Sequence, residues 1–302
     1  MLSRRQRILN RYARYVQKPV LSAIKSPTLV RKAFSLSAVL FSKRPAGLQV
    51  DRLTLGTIPA YRCHIADAPE HGTLLYIHGG GFVIGDILSY RHLVARMAQA
   101  AGMRGVFVDY RLAPEHPFPA ALDDVETAYR ALLDTPDGGP ICVVGDSAGG
   151  NLALALILRL KRRGLPLPAA CACMSPVTDL RLQNPSLARN RKRDPLISPE
   201  WGARSVAQYL AGQSPEQEDA SPILGDFTGA PPTYLCCDVT EVLYDDGRLM
   251  AEHLRKAGVA VTFSEHQGLP HVWQLNVGRS PEADASVAEI GTFLSRHATS
   301  AR

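Results

Sequence analysis

The chain has 302 residues, 46% of them hydrophobic and 21% charged, which suffices for one large core and a modest accessory layer. Its formal charge of +6 arises wholly at the N-terminus, where eleven Lys and Arg residues precede the first acid, Asp51. No repeat, low-complexity run or apolar stretch of membrane-spanning length is present, and neither basic cluster carries the interleaved aromatics of a nucleic-acid surface.

Residues 1–45 hold the first cluster: Arg4, Arg5, Arg7, Arg11, Arg14, Lys18, Lys25, Arg31, Lys32, Lys43 and Arg44. The segment reads as helical with one solvated basic face; contact with an anionic membrane or lipid interface is the less favoured alternative. Ala33 to Ser42 is apolar but too short to span a bilayer and too late for a secretion signal. The acid-free start is a weak match to a mitochondrial presequence, so the cytoplasm is the default expectation. Val50 to Leu55 and Ala60 to His64, joined by a turn at residues 56–59, predict an antiparallel hairpin. Thr73 to Ile77 predicts a buried strand running into His78-Gly79-Gly80-Gly81-Phe82. Three successive glycines expose backbone N–H groups and admit a ligand close to the main chain, with His78 expected to bond within the loop. Val106 to Val108 is the next strand; beyond it, Asp109 and Arg111 are expected to form a buried pair, and Pro114, Pro117 and Pro119 to stiffen the path onward.

Ile141 to Val144, then Gly145-Asp146-Ser147-Ala148-Gly149-Gly150-Asn151, then the apolar run Leu152 to Leu160 read as strand, tight turn and helix. Ser147 sits at the elbow. Reversing the chain there strains the serine backbone and leaves room only for glycine on either flank. The following helix aims free N–H groups and its positive dipole end at the serine, Ala148 supplying the first. Ala169 to Met174, Thr233 to Cys237 and Val259 to Phe263 continue the strands, alternating with helical segments as far as Pro281 to His297. That alternation indicates an α/β fold with a mainly parallel sheet covered on both faces. Residues 181–218, rich in proline breakers and carrying the second basic cluster at Arg189, Arg191, Lys192 and Arg193, stand outside it with residues 1–45. The core is therefore assigned to 46–180 and 219–302. The six cysteines mostly fall in strand-like runs without metal-ligand spacing and are expected as free thiols.

His78-Gly79-Gly80-Gly81, Asp109-Tyr110-Arg111-Leu112-Ala113-Pro114-Glu115-His116-Pro117-Phe118-Pro119-Ala120-Ala121 and Gly145-Asp146-Ser147-Ala148-Gly149, in this order and spacing, resemble the hormone-sensitive-lipase family of α/β-hydrolase esterases from about Gly72 to Gln274. The resemblance implies an α/β-hydrolase fold with a helical cap, here 1–45 and 181–218. It implies ester hydrolysis through a Ser-acid-His triad, with no cofactor and no metal. Ser147 is then the nucleophile, and Gly79, Gly80, Gly81 and Ala148 supply the oxyanion hole. Phe82 and Asp146 are candidates at the substrate, Asp146 leaning to a structural role. His271, in Gly268-Leu269-Pro270-His271-Val272-Trp273-Gln274, comes last in the order Ser, acid, His. The family pattern Asp-x-Leu followed by an acidic pair falls on Glu241-Val242-Leu243 with Asp245-Asp246, with glutamate in place of aspartate. Glu241 is therefore the expected acid, and Asp238 and Asp245 stay open as alternatives. Otherwise Asp238, Asp245 and Asp246 read as caps of a helix running to about Lys256.

The resulting expectation is a serine carboxylesterase for short- to medium-chain acyl esters, acting through an acyl-enzyme. A lactone or an N-acetylated small molecule is the alternative substrate. A membrane-attached lipid hydrolase is less favoured, as is a binding protein of the same fold, against which His271 counts. The expected partner is a small ester and no nucleic acid; homo-oligomerisation is left open.

Overall fold

The computed structural model describes residues 2–41, 43–65, 70–135 and 138–300, so Met1, Ser42 and residues 301–302 of the expected segments lie outside them. Eight strands form one sheet: β1 (Leu48–Leu55), β2 (Ile58–Ile65), β3 (Thr73–Ile77), β4 (Arg104–Val108), β5 (Ile141–Asp146), β6 (Ala170–Met174), β7 (Thr233–Asp238) and β8 (Val261–His266). Their spatial order is β1-β2-β4-β3-β5-β6-β7-β8. β1, β2 and β4 pair antiparallel at one edge, and from β4 across to β8 every neighbouring pair is parallel. The helices are α1 (Arg4–Tyr12), α2 (Lys18–Ala23), α3 (Pro27–Phe41), α4 (Ile87–Ala101), α5 (Ala120–Leu133), α6 (Ala148–Arg162), α7 (Ser186–Arg189), α8 (Pro199–Leu210), α9 (Tyr244–Lys256) and α10 (Pro281–Ser300). A π-helical turn, Ala13–Gln17, joins α1 to α2.

Strands buried on both faces must be apolar throughout, and alternate residues then serve opposite layers. Leu75, Ile77, Val106, Val143 and Leu235 pack with residues of α5, α6 and α9. Leu74, Tyr76, Phe107, Val144 and Tyr234 pack with α4 and α10 on the other side. All six cysteines are buried free thiols, five of them within β5, β6 and β7 at Cys142, Cys171, Cys173, Cys236 and Cys237.

The N-terminal helices are tied to the C-terminal edge of the sheet by side-chain-to-backbone bonds. Asn10 donates to the Gly268 carbonyl (2.6 Å), Arg14 to Arg193 (2.8 Å), Lys18 to Asp194 (2.7 Å), and Arg31 to Val83 and Ala113 (2.8 Å each). The N-terminal helices therefore touch the loop carrying His271, the 181–218 segment and the glycine loop.

Four local expectations are corrected. The hairpin zips as far as the Leu55–Ile58 pair, leaving a two-residue turn at Gly56 and Thr57 in place of the four-residue one. β8 begins at Val261 because the Val259 amide is used to close α9, donating to the Leu254 carbonyl. Arg111 does not pair with Asp109: its guanidinium and amide both go to Asp124 of α5, at 2.6 and 2.9 Å. The acids near α9 do not cap it. The N-cap position is Leu243, and the Asp245 amide is met by the Ser186 hydroxyl reaching across from α7. Asp245 pairs with Arg189 (3.2 Å) and Arg248 (3.3 Å), and Asp238 turns to loops described below.

Asp246 accepts the Thr178 and Asp179 amides (2.8 and 3.2 Å), fastening the loop after β6 to the start of α9. Removing a buried acceptor of two amides leaves both unsatisfied. Asp246→Ala is expected to lower unfolding stability by about 2–4 kcal/mol in urea titration; a change within experimental error would show that this tether is dispensable.

Candidate active site

Ser147 lies between β5 and α6 with φ 52° and ψ −118°, a left-handed strained backbone for a residue with a side chain. The turn closes so tightly that a Cβ on Gly149 would overlap the Ile77 and His78 carbonyls, and one on Gly145 would overlap the Gly149 backbone. The strain is held by the Ser147 amide donating to the Met174 carbonyl (2.8 Å) and by the Ser147 carbonyl accepting from Asn151 and Val177 (3.2 Å each). Ser147 makes no side-chain cap bond, so the first N–H groups of α6, beginning with Ala148, stay open toward the site.

His271 follows β8 on a loop, and its Nδ1 lies 2.6 Å from Glu241 Oε2. Glu241 is wholly buried. Its other oxygen, Oε1, accepts from the Ser175 hydroxyl and the Asp238 amide, both at 2.8 Å. Burial pulls the His271 pKa down, but the hydrogen bond and charge of Glu241, with Asp194 and Asp146 behind it, outweigh that and leave it above its ordinary 6.5. Ser147 and His271 face the same narrow cavity, walled by Gly81, Phe82, Val177 and Val242 and roofed by Leu182, Leu187, Ile197, Trp201 and Val206. No direct hydrogen bond joins the two among the described residues; such bonds commonly tighten only once substrate is bound.

The glycine loop is braced from behind. His78 donates from Nδ1 to the Gly79 carbonyl (2.8 Å) and stacks on Tyr110 with ring centroids 4.2 Å apart. Burial holds its pKa down at about 4, so the ring is neutral. Tyr110 donates in turn to the His78 carbonyl (2.7 Å). Gly80 and Gly81 present N–H groups that meet no acceptor among the described residues.

A family model described as alpha/beta hydrolase fold matches residues 74–275. The chain belongs to this family. It is 40% identical over 223 residues to an acetyl-hydrolase of Streptomyces hygroscopicus, covering 74% of this chain and 75% of that one. It is 34% identical over 270 residues to an esterase of Acinetobacter venetianus, covering 89% and 88%. A solved esterase of the bacterial hormone-sensitive lipase family superposes with TM-score 0.93 at 33% identity over 99% of both chains. The chain is an ester hydrolase of the hormone-sensitive-lipase type.

Two expected site residues of this hydrolase stand elsewhere. The Gly79 amide donates to Asp146 Oδ1 (3.0 Å), so it is not available to an oxyanion, unlike those of Gly80, Gly81 and Ala148. Asp146 does not line the cavity. It is buried behind the loop, accepting also from Tyr76 (2.8 Å) and Tyr90 (3.1 Å), with burial pushing its pKa up to about 6. Phe82 does face the cavity, stacked on Tyr209 with ring centroids 3.7 Å apart.

Sequence reading missed four groups that hold the loops of Glu241 and His271. Ser175, just past β6, gives its hydroxyl proton to Glu241 and accepts the Val272 amide (3.4 Å). Asp238 bridges the two loops, accepting the Thr240 amide (2.9 Å) and the Leu269 amide (2.6 Å). Asp194, in the segment before α8, accepts the Val242 amide (2.9 Å), while Asn190 donates to the Glu241 carbonyl (2.7 Å). The one available signal was a small polar residue directly after a buried strand, at Ser175.

Ser175→Ala removes a donor to a buried carboxylate, an interaction worth about 1.5–3 kcal/mol. It is expected to lower kcat about tenfold or more with KM little changed, by steady-state kinetics on an aryl ester. Full activity would exclude Ser175 from orienting the acid.

Proposed function

We propose that Ser147, His271 and Glu241 form the catalytic triad of this esterase, acting through an acyl-enzyme. The observation that carries the reading is the 2.6 Å contact of His271 Nδ1 with Glu241, which leaves the opposite ring nitrogen for the Ser147 proton. His271 removes that proton as Ser147 Oγ attacks the ester carbonyl. The amides of Gly80, Gly81 and Ala148 bind the oxyanion. The imidazolium then protonates the departing alcohol, and water repeats the sequence on the acyl-enzyme to release the acid.

Substrates are short- to medium-chain acyl esters. The narrow apolar cavity supports a small acyl group, as does a relative named acetyl-hydrolase. Residues 1–45 and 181–218 serve as the cap, a role supported by the side chains of Leu182 to Val206 over Ser147 and by the bonds from Arg14 and Lys18 to residues 193 and 194. The buried thiols support a cytoplasmic location.

A panel of aryl esters of rising acyl length, with a lactone and an acetamide, tests the class: saturable turnover of the short esters is expected, and none on any member would overturn the proposal. Ser147→Ala is expected to abolish both burst and turnover with the fold retained; a tenth of the activity remaining would remove Ser147 from the mechanism.

The pH profile follows from the sign of the His271 shift. A raised base stays protonated to higher pH, so activity falls as pH drops through a value above the ordinary histidine 6.5. Glu241→Gln removes the partner that raises it. The variant is expected to lose at least about a hundredfold in kcat with KM little changed, and its residual acid limb to move to lower pH. A limb that stays in place would contradict Glu241 as the acid.

A further inference from the structure

We propose that the outer face of α1, α2 and α3 docks on an anionic lipid surface, with a second cavity opening through that face toward His271. The entry route this implies rests on the esterase reading; the docking itself does not.

Among the described residues, six of the nine exposed large hydrophobics fall on these helices or on the π-helical turn between α1 and α2: Ile8, Tyr15, Val16, Val20, Leu29 and Leu36. A monomer gains nothing by holding such a group in water, and clustered exposure marks a contact surface. Beneath them lies an open apolar pocket, walled by Leu9, Tyr12, Val16, Val20 and Phe34 and reaching His271 at its floor. Val16 and Val20 are thus both exposed and part of the cavity wall. The π-helical turn at Ala13–Gln17 contributes Ala13, Val16 and Gln17 to the lining.

Charge identifies the occupant. Residues 2–50 contain no acid. Arg14, Lys18, Arg31 and Arg44 are committed to backbone carbonyls, Arg31 also to Glu115. Arg4, Arg5, Arg7, Arg11, Lys25, Lys32 and Lys43 are exposed and have no acidic partner among the described residues. The nearest carboxylate at the start of α1, Glu282, is taken up by the Ser3 amide and hydroxyl. On α1, Ile8 lies four residues after Arg4 and three before Arg11, so an exposed apolar side chain shares one stripe with two exposed cations. A solvated basic face has no use for the apolar members, and a purely apolar partner none for the charges. A membrane surface takes both, the apolar side chains entering the acyl boundary while the cations meet the headgroups. No described helix is long and apolar enough to cross a membrane, so the helices lie on the surface.

The test is co-sedimentation of the full chain with phosphatidylcholine vesicles, with and without phosphatidylglycerol, from low salt to about 0.5 M. Binding only to the anionic vesicles, released by salt, is expected. The triple variant R4E/R7E/R11E is expected to weaken vesicle partitioning by on the order of a hundredfold or more. I8S/Y15S is expected to weaken it as well. Both variants should hydrolyse a short water-dissolved ester as the parent does, which reports an intact fold; a misfolded variant leaves the salt series on the parent chain to decide. No sedimentation, equal binding to neutral vesicles, or binding untouched by charge reversal would overturn the proposal. Equal capture by soluble polyglutamate would also overturn it, reassigning the face to an acidic protein. Because sedimentation needs no turnover, failure of the esterase reading leaves this result independent.

Discussion

Three neighbouring strand ends meet at the Glu241 carboxylate, which is out of water and so must be satisfied from within the protein. The end of β6 contributes the Ser175 hydroxyl, the end of β7 the Asp238 amide, and the loop after β8 the His271 ring. A buried charge with a partner removed is costly, so these three loops hold their relative positions or none does. Sheet register sets the geometry: Cys236 lies opposite both Met174 and Ser264, which aligns the three ends. The constraint then spreads outward. Asp194 holds the Val242 amide, and Lys18 holds the Asp194 carbonyl, so two hydrogen bonds link α2 to the loop of Glu241.

The same arrangement divides charge across the site. Glu241, Asp194 and Asp146 all favour a protonated His271. Burial and Glu241 push Asp194 itself upward, a sign that negative charge is already crowded on that side. The opposite side presents N–H groups unpaired among the described residues, those of Gly80, Gly81 and the first turn of α6. A tetrahedral intermediate carries an imidazolium and an oxyanion together, and under the proposed mechanism each half of the site would meet one of them. Asp146 is fixed to this division from behind, since its bond to Gly79 sets the loop that aims Gly80 and Gly81.

Much of the fold was legible because parallel strands buried on two faces write themselves as short apolar runs, as Thr73–Ile77 did to the residue. Ser147 and the glycine loop were legible because tight turns restrict residue type. What escaped reading was choice of partner. Arg111 had Asp109 two positions away and took Asp124; α9 had two acids in its first turn, yet its Asp245 amide is met by Ser186 from another helix. Gly79 looked identical to Gly80 and Gly81 until Asp146, 67 positions on, was seen to occupy its amide. Such pairings depend on which loops the sheet brings together, and spacing along the chain carries no record of them. The exposed apolar residues of the N-terminal helices belong to the same class, since a helical stripe does not state which of its faces meets the core.

Trapping the enzyme with a reactive alkylphosphonate ester and solving the adduct structure tests the account most directly. The account predicts phosphorus bonded to Ser147 Oγ and a phosphonyl oxygen about 2.7–3.1 Å from the amides of Gly80, Gly81 and Ala148, with Gly79 still bonded to Asp146. Attachment to any other residue, or an oxygen held by the Gly79 amide with Asp146 released, would contradict it.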